Sequence, residues 1–592
     1  MAYSTESFYT GTYSPLSPEY GELFTGYRVP FQRIGATTSI QTANQIAEVS
    51  ARLSEGVRVV ELQPIQPEIF ESIPKEHFKE IARLTKLTGA EPTLHAPIID
   101  PAGFTGERID ETARETAEKY FNMIIERAHE LNPNGNMPIT IHATAGLPQT
   151  VAPKPGEPLE GDYIHVIDRE TGSIRLMRRE KRLDLKTGKE ILLDPVQQIQ
   201  EANKRIWDSQ LGSLAYEKEK GREYIETGAI IAPVYHEVIE GKIKEEELLP
   251  EQRNALSYLT AGKAIYDQIF SQLKISFNEA MRCWPEEKKK EYAQEINQIK
   301  KNIAEIESTR LMEENPIEAV KKCDQIFSTF KSLIKKAPPQ QYVFSTDFAL
   351  EKTKETLSNV ALNAFKKFGE KAPILSIENV FPGTVFGRAG ELAELIKASR
   401  EEFVKKAVKE GISESRAREM AEKMIGATWD VGHINLLRKY GFPKEAVAEE
   451  TKKIAPFVKH VHLTDNFGFN DSHLAPGMGE VPFKEILKEL EKAGFTGKEI
   501  VEAGGFVMQF KTSPTPYILE ALGSPIYGME MQPFWNQVRG IYGIPGVYAG
   551  GYGMMLPEQH FATYGAGFAG LPIELGGTMP GKGQRFAGAP ME

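Results

Sequence analysis

Residues 426–466, GATWDVGHINLLRKYGFPKEAVAEETKKIAPFVKHVHLTDN, decide the fold. Two short apolar runs, one closing on Asp430 and His433 and the other on His462, flank a helical stretch. A strand, a helix and a second strand in that order make a βα unit with parallel strands. The rhythm extends outward on both sides. APILSIENV and KEIVEAGG are further strands after residue 340, set apart by helices such as GELAELIKASREEFVKKAVKEG and FKEILKELEKAG. Between residues 33 and 146, RIGATTSI, VRVVELQP, EPTLHAPI and MPITIHAT repeat the pattern, with apolar residues at helical spacing in IPKEHFKEIARLTKL. Four strands and four strands predict an α/β fold, a (β/α)8 TIM barrel whose active site lies at the C-terminal ends of the strands.

The barrel accounts for two halves, 33–146 and 341–506. A leader, 1–32, precedes it, and an insertion, 147–340, divides it. The first part of the insertion, YIHVIDRETGSIRLMRREKRLDLKTGKEILLDP, alternates apolar and polar positions around two TG turns and predicts a β-meander. The rest predicts a helical bundle, with helices opened by Pro285 and Pro316. Because it follows the fourth strand, the insertion is expected to rise over the catalytic face. It reads equally as a lid or specificity domain and as an oligomerisation module, so a homo-oligomer built through it or the tail stays open. The tail, 507–592, is rich in Gly and aromatic residues, with 13 glycines in its last 52 positions, and predicts no regular helix.

Composition narrows the class. A 26% charged and 41% hydrophobic chain of 592 residues is neither disordered nor collagen-like. Its net charge of −11 disfavours a whole-molecule polyanion binder but leaves room for a local basic patch. Cys283 and Cys323 are too few for a disulfide framework or a thiolate zinc site. With neither a secretory leader pattern nor an 18-residue apolar run, a cytoplasmic protein with no membrane partner is expected.

Chemistry gathers at the strand ends. His95, His142, Glu378, Asp430, His433, His462 and Glu502 close strands from the third onward, and Asp471 and His473 follow in the loop NDSHLAPGMG. Five of the 11 histidines fall in this set. One such histidine is usually structural; imidazoles and carboxylates from six strands at one barrel mouth predict a polynuclear metal site. His460, two residues before His462, points along the same face one layer deeper and reads as a core or supporting residue. Asp465 is expected to orient a histidine. The basic run Arg169, Arg175, Arg178, Arg179, Lys181, Arg182, Lys186 and Lys189 is a candidate phosphate contact, against the blander reading of a solvated face. Arg388 is a candidate phosphate ligand or, by preference, half of a structural ion pair.

These motifs resemble the xylose isomerase-like TIM barrels, or AP endonuclease family 2 superfamily, over about 33–146 and 341–506. HAP at His95, strand-end His142, IEN at Glu378, the D-x-x-H of Asp430 and His433, HL at His462, the D-x-H of Asp471 and His473, and Glu502 are most similar to endonuclease IV, as is GTVFGRAGELAELI. The resemblance implies up to three zinc ions: one on His95 and His142 with Glu378 bridging, one on Asp430, His462 and Glu502, and one on His433, Asp471 and His473. It implies a zinc phosphodiesterase acting on abasic-site DNA or a related phosphoester. The alternative it implies is a sugar or sugar-phosphate isomerase or epimerase with one divalent ion, magnesium or manganese among the choices, and Glu378 and Glu502 as catalytic proton carriers. A non-catalytic, metal-stabilised scaffold is the third reading. Two departures weigh against the nuclease. Ile98, Ile99, Asp100 and Pro101 replace the turn that follows HAP there, and the loop QPIQPEIF carries Glu68 where a DNA backbone would sit.

Overall fold

The computed structural model describes residues 33–504, except 56, 154, 156–162, 184 and 186–187, together with two short strands near the C-terminus. The leader 1–32, most of the tail and Lys186 lie outside the described residues. In chain order the strands are β1 (Ile34–Thr37), β2 (Val59–Leu62), β3 (Glu91–His95), β4 (Pro138–His142), β5 (Tyr163–Asp168), β6 (Ile174–Arg178), β7 (Lys181–Leu183), β8 (Glu190–Leu192), β9 (Tyr342–Phe344), β10 (Ile374–Glu378), β11 (Ile425–Asp430), β12 (Val458–Leu463), β13 (Lys498–Val501), β14 (Tyr548–Gly550) and β15 (Gly553–Met555).

Eight of them close a parallel barrel in the order β1-β2-β3-β4-β10-β11-β12-β13, with β13 pairing back to β1. This is the expected (β/α)8 architecture, four strands from each side of the insertion. The strands are short and β-branched because both faces are buried: Val59, Val60 and Leu62 are fully enclosed, as are Ile425, Ala427 and Trp429. Helices pack outside through one apolar stripe each. Helix Lys75–Thr88 buries Phe78, Ile81 and Thr85, at helical spacing, and ends on Gly89 in the left-handed region. Register then sets the site. Glu378 pairs across from His142, and Asp430 from His462, so the ligand-type residues stand level at the C-terminal rim.

The fourth barrel helix, Ser345–Phe368, comes after the insertion. It lies against helix Glu111–Leu131 through Lys352–Glu111, Asn359–Glu118, Asn363–Asn122 and Lys367–Glu126. The insertion therefore sits between β4 and its own helix, on the side of the barrel where the strands end. Its opening loop and its sheet are tied there: Val385 N–H donates to Leu147 O, and Ile109 N–H to Gly172 O in the β5–β6 turn, each at 2.9 Å.

The expected single meander is instead two separate ladders. β5 pairs with β6 and also with β9, which arrives only after the helical part, whereas β7 pairs with β8 alone. Two helices of 34 residues, Pro195–Gly228 and Pro250–Cys283, dominate the remainder, each with proline in its first turn. At 1.5 Å per residue each is about 50 Å long. Together with Ala293–Ser308 and Pro316–Lys336 they enclose a core of their own around Trp207, Tyr266, Leu273 and Phe330. The stretch opened by Pro285 is not one helix but Glu286–Glu291 and Ala293–Ser308, broken at Tyr292. In the tail, β14 and β15 pair antiparallel. Among the described residues no helix is long and apolar enough to cross a membrane.

Candidate metal centre

All nine candidate ligands meet at the barrel mouth. Glu378 is the hub: its Oε2 lies 3.2 Å from His95 Nε2 and 3.1 Å from His142 Nε2, and its Oε1 lies 2.7 Å from His462 Nδ1. Glu502 Oε1 reaches the same His462 Nδ1 at 3.2 Å, and Asp430 Oδ2 stands 4.0 Å from it. On the far side Asp471 Oδ2 is 2.7 Å from His473 Nε2 and 3.4 Å from His433 Nε2. His473 Nδ1, 3.6 Å from Glu502, closes the ring of contacts.

Supporting bonds aim these side chains. His95 Nδ1–H donates to the Ala96 carbonyl and His433 Nδ1–H to the Asn379 carbonyl, each at 2.8 Å, which leaves both Nε2 atoms facing the centre. Asp430 Oδ1 accepts from Thr464 Oγ1 at 2.7 Å and from His433 N at 2.8 Å. Gly432 is required between them, because a Cβ there would lie 2.0 Å from Thr464 Oγ1. His473 adopts φ +44, a left-handed conformation costly for a branched ring side chain and of the kind that clusters at functional sites.

The donor set fits a metal. Groups such as His95–His142–Glu378, Glu378–Asp430–His433 and His433–Asp471–His473 bring one ligand atom each within 4.8 Å of one another. Asp430 Oδ2 is buried with no hydrogen-bond partner, and an orphaned carboxylate oxygen beside imidazoles is what a cation would satisfy. Electrostatics follow the same map. Burial alone would raise Glu378, but His462 and His142 outweigh it and hold the carboxyl well below its usual range. Burial raises Glu502, and the neighbouring Glu378 adds to the effect. Burial opposes the charge on His433 and His473, yet Asp430 and Asp471 lift His433 well above its normal value and Asp471 lifts His473 to about 9.

The substrate-contact candidates are placed elsewhere. Arg388 pairs with Glu450 at 2.8 Å and lies over the Phe442 ring, the ion pair rather than a phosphate ligand. Arg179 is buried and donates to the Leu193 carbonyl, while Arg178 is exposed on β6, whose partner is β5. In the same run Arg175 pairs with Asp168 and Arg182 with Glu201 inside the insertion, and Arg169 pairs with Glu351 on the fourth barrel helix, so these three cations are already engaged. Asp465 orients no histidine; it accepts from the backbone of Asn466, Gly477, Gly479 and Val481 and so shapes the loop that carries Asp471 and His473. Asp100, the departure after HAP, binds Thr144 and the backbone of Ala102, Phe104 and Ala145, locking the β3 and β4 loops together.

One residue was missed. Glu61 on β2 is wholly buried, with Oε2 2.7 Å from His460 Nε2 and Oε1 2.9 Å from His462 Nε2. Its signal was a carboxylate inside the apolar run VRVVELQP, the one strand before the third that also carries such a group.

Fold and site together define a closed (β/α)8 barrel with a His/carboxylate centre at its mouth. Residues 363–506 match the family model described as xylose isomerase-like TIM barrel. An uncharacterized protein of Methanocaldococcus jannaschii is 36% identical over 85 residues, 14% of this chain and 28% of that one. Fructoselysine 3-epimerase of Shigella flexneri is 30% identical over 78 residues, 13% of this chain and 27% of that one. The chain thus spans little more than a quarter of the length of these relatives. A solved D-psicose 3-epimerase from Clostridium cellulolyticum H10 aligns over 84% of this chain and 97% of its own, at 8% identity and a TM-score of 0.37.

Proposed function

We propose that the barrel is a sugar isomerase or epimerase in which Glu378 and Glu502 move a proton on a carbon beside a carbonyl. The observation that carries this reading is the meeting of two buried glutamates at one histidine nitrogen, 2.7 and 3.2 Å from His462 Nδ1. Their environments push their proton affinities apart, the arrangement that divides base from acid. The local likeness to fructoselysine 3-epimerase supports the same reading. The endonuclease IV-like phosphodiesterase finds no such support and takes second place.

A divalent cation held by Glu378, Asp430, His462 and Glu502 would supply positive charge that acidifies the carbon next to the carbonyl. Glu378, ionised, removes the proton from one face and becomes neutral. Glu502, protonated, delivers its proton to the opposite face, and exchange with solvent resets both. With Arg388 and Arg179 engaged elsewhere, the substrate is a sugar whose recognition does not rest on those two cations. Incubation of the metal-loaded chain with ketoses and fructosamines in D2O should yield an epimer or isomer with deuterium at the altered carbon. Glu378→Gln and Glu502→Gln should each abolish it. Turnover that survives both substitutions would sink the assignment.

The His433–Asp471–His473 group exceeds what one cation needs, and this keeps a multi-zinc hydrolase as the second reading. Metal analysis separates them: one divalent ion per chain, zinc, magnesium or manganese, fits the isomerase, whereas about three zinc with cleavage of abasic DNA fits the hydrolase.

A further inference from the structure

Beneath the metal centre, Glu61, His460 and Thr93 form a buried polar group outside the nine candidate ligands. All three side chains are enclosed in the barrel interior, on β2, β12 and β3. The two oxygens of Glu61 have different tasks. Oε2 accepts from His460 Nε2–H at 2.7 Å and from Thr93 Oγ1–H at 2.8 Å. Oε1 has no hydrogen-bond partner of good geometry, and its close neighbour is His462 Nε2 at 2.9 Å.

We propose that Glu61 is a positioning residue for the metal centre, holding His462 in the tautomer and orientation that present Nδ1 to the cation, with His460 and Thr93 fixing the glutamate in turn. This rests on the reading of the mouth as a metal site, not on the identity of the substrate.

The chemistry is that of a tautomer lock. An imidazole can give a metal only a nitrogen that carries no proton, so if Nδ1 is the ligand the remaining proton belongs on Nε2. A carboxylate oxygen facing Nε2 stabilises that form and opposes the other, in which two lone pairs would confront each other. Water cannot substitute, because Glu61 and His462 are fully buried. The two donors on Oε2 stop the carboxylate from rotating away, and His460, on the same strand as His462, ties the lock to the element that carries the ligand.

Glu61→Gln separates this role from packing because it keeps the shape. The amide oxygen must take the Oε2 position, where two donors point, and this leaves NH2 against His462 Nε2. That nitrogen must then accept, which puts the proton on Nδ1. Titration of the full, metal-free chain with Zn2+ alone, by calorimetry, should show affinity weakened about 10- to 100-fold, the range for loss of a metal ligand's supporting partner. Glu61→Asp, which keeps the charge but withdraws it by one methylene, should fall between. Zn2+ affinity within twofold of the parent in a folded Glu61→Gln chain would overturn the proposal and leave Glu61 as core packing. If both variants fail to fold, the unsubstituted chain decides. Histidine 15N spectra with Zn2+ bound should show His462 protonated at Nε2 and not at Nδ1, and the reverse tautomer overturns the proposal. No sugar enters either measurement, so failure of the isomerase reading would leave this result intact.

Discussion

The Nδ1 atom of His462 on β12 lies 2.7 Å from Oε1 of Glu378 on β10, across the whole width of β11. The contact forms because inward-facing side chains from non-adjacent strands meet at the barrel axis, as Glu61 on β2 and His460 on β12 also do one layer below. It also makes Glu378 the one carboxylate that touches ligands from three other strands: His95, His142 and His462.

Glu378→Gln and Glu502→Gln should therefore fail differently. The first removes the charge shared by three histidines, so metal content after gel filtration should drop together with turnover. The second removes the proton donor and one of four candidate ligands but leaves Glu378, Asp430 and His462 to hold the cation, so less metal should be lost while turnover falls about 10²- to 10⁴-fold, the usual worth of a general acid or base. Equal metal loss in both variants would show that Glu502 is chiefly a ligand.

Metal affinity should rise with pH from neutrality towards 9. His473 is held at about 9 by Asp471, and His433 and His462 are also raised, so below that pH the metal-free centre carries imidazolium protons. A metal takes only neutral imidazole, and each proton displaced makes affinity climb about tenfold per pH unit until that group is already neutral. The sign follows from the raised values: protons compete below the pKa and not above it. Calorimetry in two buffers of different ionisation enthalpy measures the protons released; a release of zero at pH 7 would contradict the assignment of these histidines as ligands.

How much of this could be read from the chain follows from what each feature depends on. The barrel was legible because strands such as VKHVHLTDN and ILSIEN are short apolar runs at regular spacing, and period and spacing are local properties. The nine ligands were legible because a parallel barrel brings strand C-termini to one rim, so that position in a strand predicts position in space. Glu61 escaped because a glutamate in mid-strand looks like an exposed residue until its partner His460, 399 positions away, is known. The meander failed for a similar reason: β5 takes its second neighbour from β9, beyond the whole bundle, and no turn signal near residue 170 encodes that. Arg388 and Asp465 were placed by type alone, whereas their roles depend on Glu450 and on three backbone amides 12 to 16 residues downstream.

Asp465→Asn should loosen the loop that bears Asp471 and His473. Four backbone N–H groups converge on the two Asp465 oxygens, and a side-chain amide can satisfy only those on its oxygen while pointing a donor at the rest. Hydrogen bonds to a charged group contribute about 1.5 to 3 kcal/mol each, so a loss of a few kcal/mol confined to the loop is expected. Hydrogen exchange should show faster exchange at Gly477 and Gly479, with β10 and β12 unchanged. Metal held by His95, His142 and Glu378 should survive, since none of these touches the loop.

Phe330→Ala tests whether the insertion folds on its own core. Phe330 is fully buried, with the rings of Phe277, Trp207 and Trp284 at 5.8, 6.4 and 6.4 Å, and those indoles are tied by Nε1–H bonds to the carbonyls of Pro339 and Ala337, where the chain returns towards the barrel. Truncating a buried phenylalanine costs about 3 to 5 kcal/mol. The bundle's apolar cluster shares no residue with that of the barrel, so the cost should fall on the bundle alone. Thermal unfolding followed by tryptophan fluorescence, which reports Trp207 and Trp284 in the bundle and Trp429 in the barrel alongside Trp535 of the tail, should split into an early bundle transition and an unshifted barrel transition. Zn2+ affinity should stay that of the parent. A single transition shifted as a whole would mean instead that bundle and barrel unfold together, and that the contacts at residues 337–344 transmit stability between them.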